Sequence, residues 1–157
     1  MRLGAQRFGG LGAAIALDSF PLPCYNHVSM DSVLKQCLVV GIGGFFGAIA
    51  RFLINTAVSS RYAPHFPWAT FIINISGSFA LGLLATLISG HVLTNPNWRL
   101  GVTVGFIGAY TTFSTFEYES AALGISWAAL GNLLGSVVAG FGAVRLGIWL
   151  GQVWSHP

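Results

Sequence analysis

Long apolar runs alternate with short polar or turn-forming pieces along this chain, and that rhythm sets its elements. No Lys, Arg, Asp or Glu occurs between Arg61 and Arg99, nor between Glu119 and Arg145. A spanning helix needs roughly 20 mainly apolar residues, and both gaps are longer. "LVVGIGGFFGAIARFLINTAV" (38–58) and "LGVTVGFIGAYTTFSTFEYESAAL" (100–123) are long enough too, although charges interrupt them. The pattern predicts four spanning helices, at about 34–59, 67–90, 98–122 and 126–151. The connectors "SSRYAPHFP" and "HVLTNPNWR" carry proline and Asn-Pro-Asn turn signals, and "LGIS" is shorter still. None could hold a soluble domain, so any site lies within the membrane and the chain is a single domain.

Composition agrees with that layout. Of 157 residues, 54% are hydrophobic and 7% charged, and mean hydropathy is +0.73. A soluble domain is typically about 25% charged, so these few charges cannot coat a soluble surface. Cys24 and Cys37 are too few for a disulfide framework, and no Cys/His spacing suits zinc. No phosphate loop, nucleophile elbow or paired-carboxylate arrangement points to an enzyme. The net charge of +3 is scattered over membrane boundaries, which argues against a nucleic-acid partner.

Residues 1–30 precede the first span and read as an N-terminal extension. It is either disordered or lies upstream of a true start at Met30. The apolar piece "GGLGAAIAL" behind two arginines has the length of a signal-peptide core, but it is glycine-rich and no small-x-small cleavage site follows.

Positive residues normally collect in cytoplasmic loops. Here Lys35, Arg99 and Arg145 would fall on one side, and Arg51 and Arg61 on the other. That is almost no bias unless Arg2 and Arg7 are counted with the first group. A chain so weakly oriented either inserts both ways and pairs with an inverted copy, or one orientation wins by a small margin.

Helical faces carry the candidate chemistry, because positions three or four apart are neighbours. Gly43, Gly47 and Arg51 step by four in the first span, and small residues at that spacing allow close helix approach. Arg51 would snorkel to the interface or lend positive potential to an anion entrance. Asn74 and Ser78, four apart in the second span, adjoin Gly77. An intramembrane amide must find a partner or line a wet cavity, so Asn74 either staples two helices or offers N–H groups to a passing solute. Asn132, Ser136 and Gly140 again step by four in the fourth span.

The third span is unlike the others. Gly105, Gly108 and Ala109 loosen it just before Thr111, Thr112, Ser114 and Thr115. A break there would expose backbone carbonyls, which broken membrane helices commonly use for cations. Phe113 and Phe116 share a face, either for packing or to present ring edges, which carry partial positive charge. Neutral donors and ring edges would bind a small anion strongly enough to admit it and weakly enough to release it.

Three motifs then bring in a family. "GGFFGAIARF" (43–52), "PWATFIINISGSFALG" (67–82) and "GFIGAYTTFSTFEYE" (105–119) resemble the Fluc/CrcB fluoride channels in order and spacing, across residues 38–151. "TTFSTF" is the most specific of them. The resemblance implies an all-α membrane protein of four transmembrane helices, the third broken near its middle, forming an antiparallel dual-topology homodimer. Two fluoride pathways would each be lined by both subunits, in the cytoplasmic (inner) membrane. Asn74 resembles the pore asparagine, Phe113 and Phe116 the rings that fluoride passes, Ser114 and Thr115 the hydroxyls between them, and Ser136 the fourth-helix serine. Gly108 and Thr111 match positions whose carbonyls hold a structural sodium ion at the dimer centre. Arg51 and Glu119 match the first-helix arginine and an acidic residue at the third-helix end, in an entrance or structural role.

The chain departs from the family pattern at four places. Ala109 replaces the second glycine of a pair, Ala69 replaces the glycine of P-x-G-T, Asn132 stands for a tyrosine, and Gly140 for a serine. With the weak charge bias, these leave open a heterodimer with an unlike family member. Two other functions compete with passive fluoride export. A small proton-coupled exporter would need an embedded carboxylate, which the first span lacks. A non-transporting assembly subunit would tolerate apolar replacements of Asn74, Phe113 and Phe116.

Overall fold

The structure is a computed structural model that describes residues 29–62, 65–90 and 95–155. The expected extension at 1–30 therefore lies outside the described residues except for its last two. Among the described residues every regular element is helical.

Helix α1 spans Met30–Ser59 and starts at a built cap, in which the Ser29 hydroxyl oxygen accepts the Ser32 N–H at 3.3 Å. Asp31 in its first turn complements the helix dipole. Helix α2 spans Trp68–Ser89 behind Pro67. The Asn-Pro-Asn triplet, read above as a turn, begins a helix instead. Asn95 Oδ1 accepts the N–H groups of Asn97 and Trp98 at 2.9 and 3.4 Å, and Pro96 takes the first helical position, where a missing N–H costs nothing.

From there the backbone stays helical for fifteen residues in three styles: α3 (Pro96–Arg99), a π-helical segment (Leu100–Ile107) and α4 (Gly108–Tyr110). Thr111 (ψ 158°) and Thr112 (φ −150°) are then extended. Helix α5 (Phe113–Ala122) follows, and α6 (Trp127–Ser155) closes the described chain. The predicted break is thus present, but not where the glycines pointed. Gly108 and Ala109 are helical, and the chain leaves the helix at Thr111–Thr112. Gly124 has φ +61°, a left-handed value that suits glycine, and it turns the chain from α5 toward α6.

Among the described residues three helices, α1, α2 and α6, are long and apolar enough to cross a membrane. The fourth predicted span is the divided stretch 96–122, neither part of which is a long uninterrupted helix.

Two tight seams organise the packing. On α1, Gly43 lies directly against the Gly101 carbonyl and Gly47 against the Phe106 carbonyl, so α1 and the π segment touch backbone to backbone. Between α2 and α6, Gly82 meets the Val144 carbonyl and Gly147 the Phe79 carbonyl. Such approaches suit a bilayer, where close packing, and not the expulsion of water, draws helices together. The outer surface is apolar: Leu38, Phe45, Phe52 and Val153 are all more than half exposed, as expected of residues that face lipid.

Candidate functional site

The break in the third helical stretch is held by a side chain from α2. Asn74 Nδ2 donates to the Thr112 carbonyl at 3.0 Å, and Asn74 Oδ1 accepts the Thr112 N–H at 2.9 Å. Both backbone groups that the extended residue would leave unpaired are satisfied by one amide. Thr112 in turn caps α5. Its hydroxyl oxygen accepts the Thr115 N–H at 3.3 Å, and its hydroxyl donates to Thr115 Oγ1 at 3.0 Å. The Thr115 hydroxyl proton is therefore free to point outward. Thr111 turns its hydroxyl back onto the Ile107 carbonyl at 2.9 Å.

Beside this junction lies a cavity of about 220 Å³, lined among others by Asn74, Gly77, Ser78, Thr111, Thr112 and Phe113. One Asn74 N–H remains after the Thr112 carbonyl is served, so a donor stands at this cavity. Phe113 is 69% exposed, whereas Phe116 is 7% exposed. Their ring centroids are 5.9 Å apart with planes inclined by 39°. Ser114 and Thr115 are exposed on the same short helix. Asn74, Thr111 and Phe113 are thus brought together, with Ser114 and Thr115 within the next turn.

Ser136 belongs to a second polar group. Its hydroxyl donates to Asn132 Oδ1 at 3.2 Å, Asn132 Nδ2 donates to Ser120 Oγ at 2.8 Å, and the Ser120 hydroxyl donates to the Phe116 carbonyl at 2.7 Å. The outer member of the Asn132–Ser136–Gly140 line also reaches α2, for a side chain at Gly140 would meet Ser78 Oγ at 3.7 Å.

Glu119 and Arg51 lie apart from the break. Glu119 lines a separate cavity of about 530 Å³ with Asn55, Ser59, Tyr62 and Trp68, and its Oε2 is buried without a hydrogen-bond partner. Arg51 is half-buried on α1, one turn before Asn55.

A cation near Gly108 and Thr111 would have to be held by neutral oxygens, because the described residues contain no group of three or more His, Cys, Asp or Glu that could hold a metal. The backbone there suits a hard cation. The Thr112 amide, which would otherwise close on the Gly108 carbonyl, goes to Asn74. Gly108 is exposed, with nothing within 4 Å of where a Cβ would stand. The last carbonyls of a helix lack partners by construction, and oxygen donors of this kind fit Na⁺.

Sequence reasoning passed over four residues that matter here. Thr112 was one hydroxyl among several, yet it carries the Asn74 pair and the α5 cap. Ser120 follows Phe116 by four, the spacing at which a serine hydroxyl reaches back to a helix carbonyl. Ser76 and Tyr110 share a hydrogen bond of 2.8 Å across the same α2 junction, and 34 residues of separation hid it.

Comparison with known proteins places this geometry in a family. The profile described as "CrcB-like protein, Camphor Resistance (CrcB)" matches residues 38–148. A protein of Solibacter usitatus named fluoride-specific ion channel FluC is 45% identical over 118 residues, covering 73% of this chain and 97% of that protein. Proteins with the same name from Acidobacterium capsulatum and Chlorobium luteolum are 44% and 42% identical, covering 74% and 75% of this chain and 92% and 93% of their own lengths. With its apolar helices and these relatives, the chain is a multi-pass membrane protein, and it belongs to the CrcB-like family.

Proposed function

We propose that this chain is a fluoride-selective ion channel, not an enzyme, and that it lets fluoride leave the cell passively across the cytoplasmic membrane. The observation that carries this function is the near-full-length match to relatives that bear the name fluoride-specific ion channel. Those relatives favour a channel over a proton-coupled exporter or a silent assembly subunit. The geometry agrees in chemistry, because the break presents neutral donors and aromatic rings in place of a fixed cation that would trap an anion.

In this proposal the stretch 96–122 is the fourth crossing, and the subunit pairs with an inverted copy. A heterodimer with an unlike member of the family is the variant to be tested beside it. Fluoride passes the edges of Phe113 and Phe116. The spare Asn74 N–H and the outward hydroxyls of Ser114 and Thr115 replace part of its water. Ser136, whose hydroxyl donates to Asn132, lies on the fourth-helix side of the path. Arg51 and Glu119 act at an entrance or in support. The carbonyls of Gly108 and Thr111 hold a structural sodium ion, whose charge would join two broken helices at the dimer centre. No energy-coupling group is needed, since weak-acid entry concentrates fluoride inside and its gradient then drives exit.

Purified protein in liposomes, with fluoride and chloride efflux followed by ion-selective electrodes, tests the function. Rapid fluoride loss with chloride retained is expected. Equal loss of both ions, or of neither, overturns it.

A further inference from the structure

Helix α5 is ten residues long and carries both rings of the proposed path. Two asparagines from different helices hold it. Asn74 of α2 grips its start through Thr112. Asn132 of α6 grips its second half through Ser120.

The second grip is directional. Ser136 donates to Asn132, Asn132 donates to Ser120, and Ser120 donates to the carbonyl of Phe116. Asn132 is 1% exposed and Ser120 6% exposed, the deepest polar side chains on α6 and α5. A buried amide with both ends engaged cannot turn without leaving polar atoms unpaired. The last acceptor in the string is the backbone of the buried ring, Phe116, while Phe113 stands exposed. Asn132 itself is too enclosed to meet a passing ion.

We propose that Asn132 is a positioning residue that acts through Ser120 to fix Phe116 relative to Phe113. The consequence for ion flow rests on the fluoride-channel function above; the positional link does not. Displacing a positioned group by about 1 Å can cost roughly a hundredfold in rate, so a short helix tied at this point is a sensitive place to act.

The test uses the full chain in liposomes with three variants: Asn132→Leu, Ser120→Ala and the double substitution. Two readouts are taken: efflux rate from the vesicles that still conduct, and the ¹⁹F NMR resonance of 4-fluorophenylalanine placed at position 116. Each single variant is expected to slow fluoride efflux by about tenfold or more, with the double variant no slower, as expected of residues acting as one unit. Both should move the ¹⁹F resonance alike. Additive losses, or a wild-type rate in Ser120→Ala, overturn the proposal, since Asn132 would then act without Ser120. So does a resonance that stays in place while Asn132→Leu merely reduces the number of conducting vesicles. If Asn132→Leu does not fold, the rate and resonance of Ser120→Ala decide. If the wild-type protein moves no fluoride, the channel function falls, and the ¹⁹F shift alone decides the positional link.

Discussion

Asn74 and Thr112 are paired twice, the side-chain amide giving an N–H to the Thr112 carbonyl at 3.0 Å and taking the Thr112 N–H at 2.9 Å. The asparagine mimics the peptide partner that a β-strand would provide. It thereby lets an extended step exist in the middle of a helical stretch without orphaned backbone groups. Replacing Asn74 with leucine should leave both groups unpaired at a cost of about 2 kcal/mol. The expected result is a lower melting midpoint together with lost fluoride efflux. A variant that melts and conducts like wild type would show that the break is held by something else.

Phe116 is buried and Phe113 is not, so the two rings should answer differently to substitution. Phe116→Ile should slow fluoride efflux by about tenfold or more while the protein still assembles, because branched carbons offer no positive ring edge. Unchanged efflux would remove the rings from ion passage. Dimer content by size-exclusion chromatography separates the two effects.

The seam between α1 and the π segment admits no side chain at Gly43, where a Cβ would collide with the Gly101 carbonyl. Gly43→Ala should cost about 1–3 kcal/mol, as overpacking does. Gly41 provides the control, since a Cβ there meets nothing within 4 Å. Thermal unfolding of the two variants side by side gives the answer; equal midpoints would contradict the seam.

Gly124 sits at φ +61° in open surroundings. Gly124→Ala should therefore lose about 1–2 kcal/mol from backbone strain alone and leave fluoride efflux per channel at the wild-type rate. A change in that rate would tie this turn to conduction.

If neutral carbonyls at Gly108 and Thr111 hold sodium, its removal should be felt as stability. An ion present at about a hundred times its dissociation constant adds roughly 2.7 kcal/mol. Exchange of sodium for N-methylglucamine should lower the melting midpoint of the assembled protein, and sodium should restore it. An indifferent midpoint removes the ion from the proposal.

Much of this molecule could be read from the residues. α1, α2 and α6 declare themselves through apolar length, because a spanning helix has to be apolar for its whole extent. The close approach of α1 was visible in Gly43 and Gly47. The break was legible to within a few residues, but its cause was not. Gly108 and Ala109 drew attention, yet a glycine costs a helix only about 1 kcal/mol, too little to end one. What ends it is Thr112, whose amide finds a better partner in Asn74, 38 residues away. A separation of 34 residues likewise hid the link from Ser76 to Tyr110. Asn132 was legible as polar and well placed, but its partner Ser120 sat in a helix marked by its rings and acids.

The two glycine seams and the asparagine-held helix differ in kind, and that difference is mechanical. Backbone packed on backbone at Gly43 and Gly147 makes stiff pairs, whereas α5 hangs from a few hydrogen bonds at Thr112 and Ser120. Compression or thinning of the bilayer will be taken up by the softest part, and here that part carries Phe113 and Phe116. The throughput of the protein should therefore respond to acyl-chain length and lateral tension well before its fold does.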